Sequence, residues 1–222
     1  MGFSEELRDS AAVEWGRIFA TPFVVGIGDG TLPLPRFRFY LQQDYVFLID
    51  YCRVLALAAA KESRLAVMGR LTEVLHATLN TELGLHRSYC SRSGISTEAL
   101  EATEPAPTTL AYTSHLLAVA HSGTLLDLAA ALLPCHWGYW EIGQMLAGRR
   151  EPADAPLYAE WIRLYSSPEY GALADWLRRL VNELAEEASA SERARARREY
   201  RTSVRYEYLF WEMAYQESGW PI

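Results

Sequence analysis

Hydrophobic residues recur at helical spacing along nearly the whole chain. Phe37, Tyr40, Leu41, Phe47, Leu48, Tyr51 and Leu55 share one stripe, and Asp44 falls within it. Arg38, Gln42, Gln43, Asp50 and Arg53 fall away from that stripe. The pattern predicts a long helix from about Pro35 to about Glu62, and further helices near 63–92, 108–121, 125–147, 155–166, 168–188 and 191–217. Ser4 is placed to cap a first helix, with Glu5 and Glu6 at its positive end, and Thr21–Pro22 to stop it. Gly26, Gly28, Gly30, Pro33 and Pro35 then predict a loop. Gly94, the Pro105–Pro107 stretch and Gly148 to Pro156 are further breaks, and Ser167–Pro168 reads as a cap followed by a proline in the first helical position. No segment alternates at strand period, and neither a repeat nor a domain-dividing linker is visible. The expectation is an all-α fold, a compact helical bundle in which residues 1–222 form a single domain.

Composition narrows the functions open to such a bundle. Half of the 222 residues are hydrophobic and 12% are aromatic, enough for a substantial core. The 21 basic and 28 acidic residues leave a net charge of −7, which argues against a nucleic-acid partner. Arg193, Arg195, Arg197 and Arg198 read as a solvated helix face. Cys52, Cys90 and Cys135 contain no CxxC pair, so neither a zinc site nor a redox motif is indicated. The acidic opening segment is unlike a signal peptide, and no apolar run reaches membrane-spanning length, Leu55 to Ala60 being cut by Lys61. A reducing, cytoplasmic setting without a membrane partner is therefore expected.

Against this background, the run Leu133–Pro134–Cys135–His136–Trp137–Gly138–Tyr139–Trp140 stands out, because it sets a thiol in aromatic, otherwise apolar surroundings. Pro134 removes one helical hydrogen bond; it serves either as a packing kink or to aim the thiol. Two carboxylates lie on similar aromatic faces. Asp44 is either hydrogen-bonded to a tyrosine or a helix end, or contacts a ligand. Glu207, among Tyr200, Val204, Phe210, Trp211 and Ala214, is either a structural acid or one whose pKa is raised so that it holds a proton near neutrality. A thiol and two inward acids are the parts of a nucleophile with acid–base help. Tyr139 lies one turn after Cys135, Tyr112 starts another helix, and Tyr165 ends a third. Thirteen tyrosines suggest a lined cavity, since a buried hydroxyl needs a partner. Glu73-x-x-His76 and Glu82-x-x-x-His86 each put acid and imidazole on one face, but the second Glu-x-x-His of a helical di-iron site is missing, and no metal is expected. His136 points about 100° away from Cys135 on an ideal helix. Gly26-x-Gly28-x-Gly30 follows no strand and reads as a turn, not a phosphate loop.

With these residues in hand, the chain resembles the TenA family, the thiaminase II enzymes, over nearly its whole length. The resemblance rests on Pro22–Phe23–Val24, Tyr40-x-x-Gln43–Asp44–Tyr45, Pro107–Thr108 through Ala111–Tyr112–Thr113, Leu133–Pro134–Cys135, Trp137-x-Tyr139-x-Glu141–Ile142–Gly143, Trp161–Ile162 with Tyr165–Ser166–Ser167, and Tyr206–Glu207-x-x-Phe210–Trp211. It implies a haem-oxygenase-like bundle without haem or other cofactor, usually a homotetramer. The implied reaction is hydrolysis of 4-amino-5-aminomethyl-2-methylpyrimidine to the 5-hydroxymethyl compound in thiamin salvage, with thiamin cleavage as a related activity. Carried over by motif, Cys135 would be the nucleophile and Glu207 would hold and protonate a ring nitrogen. Asp44 would bind the exocyclic amine. Tyr112, Tyr139 and Tyr165 would line the pocket, and Phe210 would stack on the ring. Cys135 places the chain in the cysteine-bearing branch. Two residues depart from the pattern: Phe47 stands where many relatives carry tyrosine, removing a pocket hydroxyl, and Thr21 replaces a frequent histidine. The alternatives are a pyrimidine- or thiamin-binding protein without turnover and a helical di-iron oxidase on the same scaffold.

Overall fold

The computed structural model describes residues 2–149 and 152–221, and among the described residues every regular element is a helix. In chain order these are α1 (Phe3–Ser10), α2 (Ala12–Phe19), α3 (Pro22–Asp29), α4 (Leu34–Lys61), α5 (Leu65–Ala77), α6 (Leu83–Arg92), α7 (Thr97–Glu101), α8 (Pro107–Ser122), α9 (Leu125–Ala147), α10 (Pro156–Tyr165), α11 (Pro168–Glu186) and α12 (Ala190–Gln216). None is long and apolar enough to cross a membrane. The chain forms two compact units: Met1–Pro33 with Leu126–Glu212, and Leu34–Leu125 with Met213–Ile222.

The long helices follow the hydrophobic periodicity closely; the short ones do not. The predicted first helix is two, α1 and α2, broken at Ala11. Gly2, not Ser4, is its N-cap; Ser4 is buried, and its backbone N–H donates to Asn182 Oδ1 at 2.7 Å. The expected loop after Thr21 begins as α3, because Pro22 in the first turn is preset for helix and Gly30, at φ 72°, ends it in the left-handed region. The predicted 63–92 helix is interrupted by a π-helical turn, Thr78–Glu82, between α5 and α6. The short α7, capped by the Ser96 hydroxyl accepting from the Ala99 N–H, has too few residues to show a period. Ser167 caps α11 as expected, its hydroxyl accepting from the Tyr170 N–H.

In the first unit, α9 carries Pro134 inside an otherwise buried helix. Asp127, in the first turn of α9 and buried, pairs with Arg195 Nε of α12 at 2.7 Å. Trp15 Nε1 of α2 donates to Tyr200 Oη of α12 at 3.0 Å. Close backbone approach sets the position of α10. A methyl group at Gly143 of α9 would lie 2.5 Å from the Tyr165 carbonyl carbon, so only glycine admits this contact.

In the second unit, α4 packs against α5, α6 and α8. Lys61 at its end donates to the carbonyls of His121 and Gly123, which close α8. Gln43 departs from its expected place. Its spacing puts it on the polar side, yet it is 4% exposed, because α4 is covered on more than one flank. Its Oε1 accepts from the Ala106 N–H at 2.8 Å and the Thr109 hydroxyl at 2.7 Å, and its Nε2 donates to the Glu104 carbonyl at 3.1 Å. A buried amide bonded in this way fixes the start of α8.

Candidate active site

In the first unit the candidate residues gather around an aromatic nest. Cys135 on α9 is partly exposed, while Pro134 before it and His136 after it are buried. One turn on, the Tyr139 ring lies 4.8 Å from Tyr165, 5.1 Å from Trp211 and 5.9 Å from Trp161, centroid to centroid. Trp161 and Tyr165 of α10 are 4.5 Å apart. Tyr170 stands edge-on to Tyr165 at 5.0 Å. Glu207 of α12 is 4% exposed and lies one turn before Trp211, with Phe210 buried beside it in sequence. The thiol and the carboxyl thus each sit one helical turn from a member of the same nest. Tilted rings at these spacings hold one another rigidly.

His136, next to the thiol in sequence, is buried. Burial pushes its pKa down to about 4, and its ring lies 6.1 Å from Tyr170. An imidazole so hard to protonate is a poor base. The other two thiols are hard to ionise. Burial, then the Glu82 charge, lifts Cys52 to about 11, and burial, then Asp44, lifts Cys90 to about 11. Neither forms thiolate at neutral pH.

In the second unit, Asp44 is 6% exposed and meets a partner that the spacing pattern does not show. His86 Nε2 of α6 is hydrogen-bonded to Asp44 Oδ2 at 2.6 Å, and Tyr40 Oη approaches the same oxygen at 3.5 Å. Glu82, at the end of the π-helical turn, is raised to about 7: burial drives it up, the neighbouring His86 charge opposes this, and Asp44 adds to it. One turn along α4 from Asp44, Phe47 is buried, its ring 5.1 Å from Tyr112 of α8. The Gln43 clamp holds the turn from which Tyr112 projects. The structure therefore brings Asp44, Phe47 and Tyr112 together in one unit, and Cys135, Tyr139, Tyr165, Glu207 and Phe210 in the other.

His86 and Gln43 are the residues that sequence reasoning misses. His86 shows along the chain only as Glu82-x-x-x-His86, a spacing that points to metal sooner than to Asp44. Among the described residues, no group of three or more histidine, cysteine, aspartate or glutamate side chains is placed to hold a metal ion. Gln43 carries a signal in its place beside Asp44, inside the Tyr40-x-x-Gln43–Asp44–Tyr45 motif.

The arrangement has relatives. A protein of Halalkalibacterium halodurans named aminopyrimidine aminohydrolase is 49% identical over 220 residues, covering 99% of this chain and 98% of its own. A Bacillus subtilis protein of the same name is 39% identical, covering 99% of this chain and 92% of its own. The solved structure of a TenA homologue from P. horikoshii, 32% identical, superposes with a TM-score of 0.89 over 97% of this chain and 99% of that one. The fold is the haem-oxygenase-like one, shared with a Shewanella denitrificans domain at only 15% identity. The model of the TENA/THI-4/PQQC family matches residues 9–217. From the buried faces of its helices to these matches along nearly its whole length, the chain belongs to the TENA/THI-4/PQQC family.

Proposed function

We propose that this chain is an aminopyrimidine aminohydrolase of thiamin salvage, which replaces the amine of 4-amino-5-aminomethyl-2-methylpyrimidine by hydroxyl. The observation that carries the reading is the 49% identity to a protein of that name across 99% of this chain. The site residues support it chemically. Cys135 is the partly exposed thiol, next to aromatic walls suited to a flat ring, whereas the other two thiols are buried.

In this mechanism the Cys135 sulfur adds to a carbon of the pyrimidine ring while Glu207 gives a proton to a ring nitrogen, which takes up the electron pair. The ring, no longer aromatic, expels the amine from the 5-methylene, and the amine takes up the proton given up by the thiol and leaves as ammonia. Water adds its hydroxyl to that methylene, Glu207 recovers its proton from the ring nitrogen, and the C–S bond breaks to restore the ring, the sulfur taking the proton that the water gave up. The balance is one water consumed and one ammonia released. Asp44 binds the exocyclic amine, Tyr112, Tyr139 and Tyr165 line the pocket, and Phe210 stacks on the ring. Phe47 supplies apolar wall where a tyrosine would add a hydroxyl. The protein acts as a cytoplasmic homotetramer of single-domain subunits, an assembly that light scattering on the purified protein tests.

The decisive assay follows release of the hydroxymethyl pyrimidine, with thiamin as the parallel substrate. Cys135→Ala is expected to cut turnover at least a thousandfold while the circular dichroism spectrum is unchanged. Full activity in that variant refutes the covalent role. Glu207→Gln is expected to lower kcat more than it raises KM, because an amide binds but cannot deliver the proton.

A further inference from the structure

The Asp44–His86 pair does more than stabilise a buried acid. Asp44 and His86 are 42 residues apart in sequence and both nearly sealed from solvent, at 6% and 4% exposure. Both ring nitrogens of His86 face oxygen acceptors. Nε2 lies 2.6 Å from Asp44 Oδ2, and Nδ1 lies 3.2 Å from the Glu82 carbonyl. An imidazole that faces an oxygen at each nitrogen donates to both when both carry protons. Its surroundings agree: Asp44 and Tyr40 from α4, the Glu82 carboxyl, and the Cys90 thiol beside Asp44. Burial works against the charge on His86, and the bond and charge of Asp44 more than offset it, leaving its pKa above the ordinary histidine value.

From this geometry we infer that His86 is a positioning residue, a fixed donor that grips one oxygen of Asp44 and locks its carboxylate plane for recognition of the substrate's exocyclic amine. The inference rests on the reading of Asp44 as the amine ligand. His86 and Tyr40 both engage Oδ2, which leaves Oδ1 for the ligand. A carboxylate held at one oxygen by a ring donor, itself anchored at its other nitrogen, is hindered from rotating away. The position also discriminates chemically, since an acceptor oxygen binds an amino group but repels a carbonyl oxygen in its place. The preferred ring is thus an amino- rather than an oxo-pyrimidine.

The test compares kcat and KM for the aminomethyl pyrimidine across four variants. His86→Phe is expected to raise KM about tenfold to a hundredfold, the worth of one hydrogen bond to a charged group, with kcat changed less than threefold. His86→Gln, which restores a donor near Nε2, is expected to recover most of that loss. In an Asp44→Asn background, His86→Phe should add nothing, because the two act as a unit. Should His86→Phe fail to fold, nitrogen-15 NMR of the histidines in the unaltered protein replaces it, with both His86 nitrogens expected to carry protons at pH 7.5. A bare nitrogen at neutral pH overturns the inference. So does a KM unmoved by His86→Phe while Asp44→Asn raises it, or a His86→Gln variant no better than His86→Phe at equal melting temperature. An Asp44→Asn variant with unchanged KM instead removes the amine-ligand reading itself, and with it the premise.

Discussion

Gly143 is the residue at which one added methyl group tests the link between packing and chemistry. A Cβ there would lie 2.5 Å from the Tyr165 carbonyl carbon, 2.6 Å from its oxygen and 2.7 Å from the Ser166 nitrogen. All three are backbone atoms, so no side chain can swing aside. Ordinary contact begins at 3.4 Å, and the end of α10 must therefore withdraw by about 0.9 Å. Overpacking of this kind costs about 1–3 kcal/mol, and the better helix propensity of alanine returns up to about 1. With three backbone atoms struck the cost lies in the upper half of that range, and the net loss of about 1–2 kcal/mol corresponds to a fall in Tm of about 2–8 °C for a chain of this size. The functional loss should be larger. Tyr165 packs 4.8 Å from Tyr139, one turn from Cys135, and a displacement near 1 Å at a reacting centre can cost about a hundredfold. Thermal melts and steady-state kinetics of Gly143→Ala, beside Gly16→Ala as a control, check both numbers. Gly16 lies in α2, where an added methyl group would meet nothing within 4 Å, so that variant should gain about 0.5–1 kcal/mol with unaltered kinetics. A Gly143→Ala protein with the parent's Tm and kcat/KM refutes the reasoning.

Two further outcomes follow from polar groups in the second unit. Gln43→Ala removes three hydrogen bonds and leaves buried partners at the head of α8 unmatched, so a loss of about 2–3 kcal/mol and a proportionate fall in the chemical-denaturation midpoint are expected. Glu82 titrates near 7 when folded but near 4.5 when unfolded, so the folded state holds a proton that the unfolded state has released between those values. Stability is therefore lost as pH rises from about 4.5 to 7, and His86, whose folded pKa is also raised, acts in the same direction above its unfolded value. Melts of Glu82→Gln should match the parent near pH 4.5 and exceed it above pH 7, by about 1–3 kcal/mol. Parallel curves across that range would contradict the assignment.

Much of this is legible in the chain because long helices repeat their signal. The α4 stripe from Phe37 to Leu55 is buried as its spacing requires, and α9 runs over the predicted residues. The thiol and both acids are conspicuous as polar groups on apolar faces. What stays hidden depends on distance or on brevity. Gln43 lies off the α4 stripe, and the chain arriving from Glu104 to Thr109 meets it there. The glycines of α3 look like a turn because propensity sees their flexibility, not the Leu32 backbone that would stand 3.1 Å from a Cβ on Gly26. His86 can be matched to Asp44 only across 42 residues, a separation that no helical period spans.

The surplus residue in the turn Thr78–Glu82 has a consequence for the angular bookkeeping of the chain. Val74 and His86 are both buried, yet twelve uniform steps would leave them about 120° apart around the axis. The wide loop of the spiral absorbs one step, and the divergence shrinks to about 20°. Shortening the chain by one residue there would heal the spiral and still aim the imidazole at its carboxylate. Healing it at full length would rotate the imidazole away. At this point the number of residues, more than their kind, decides what faces inward.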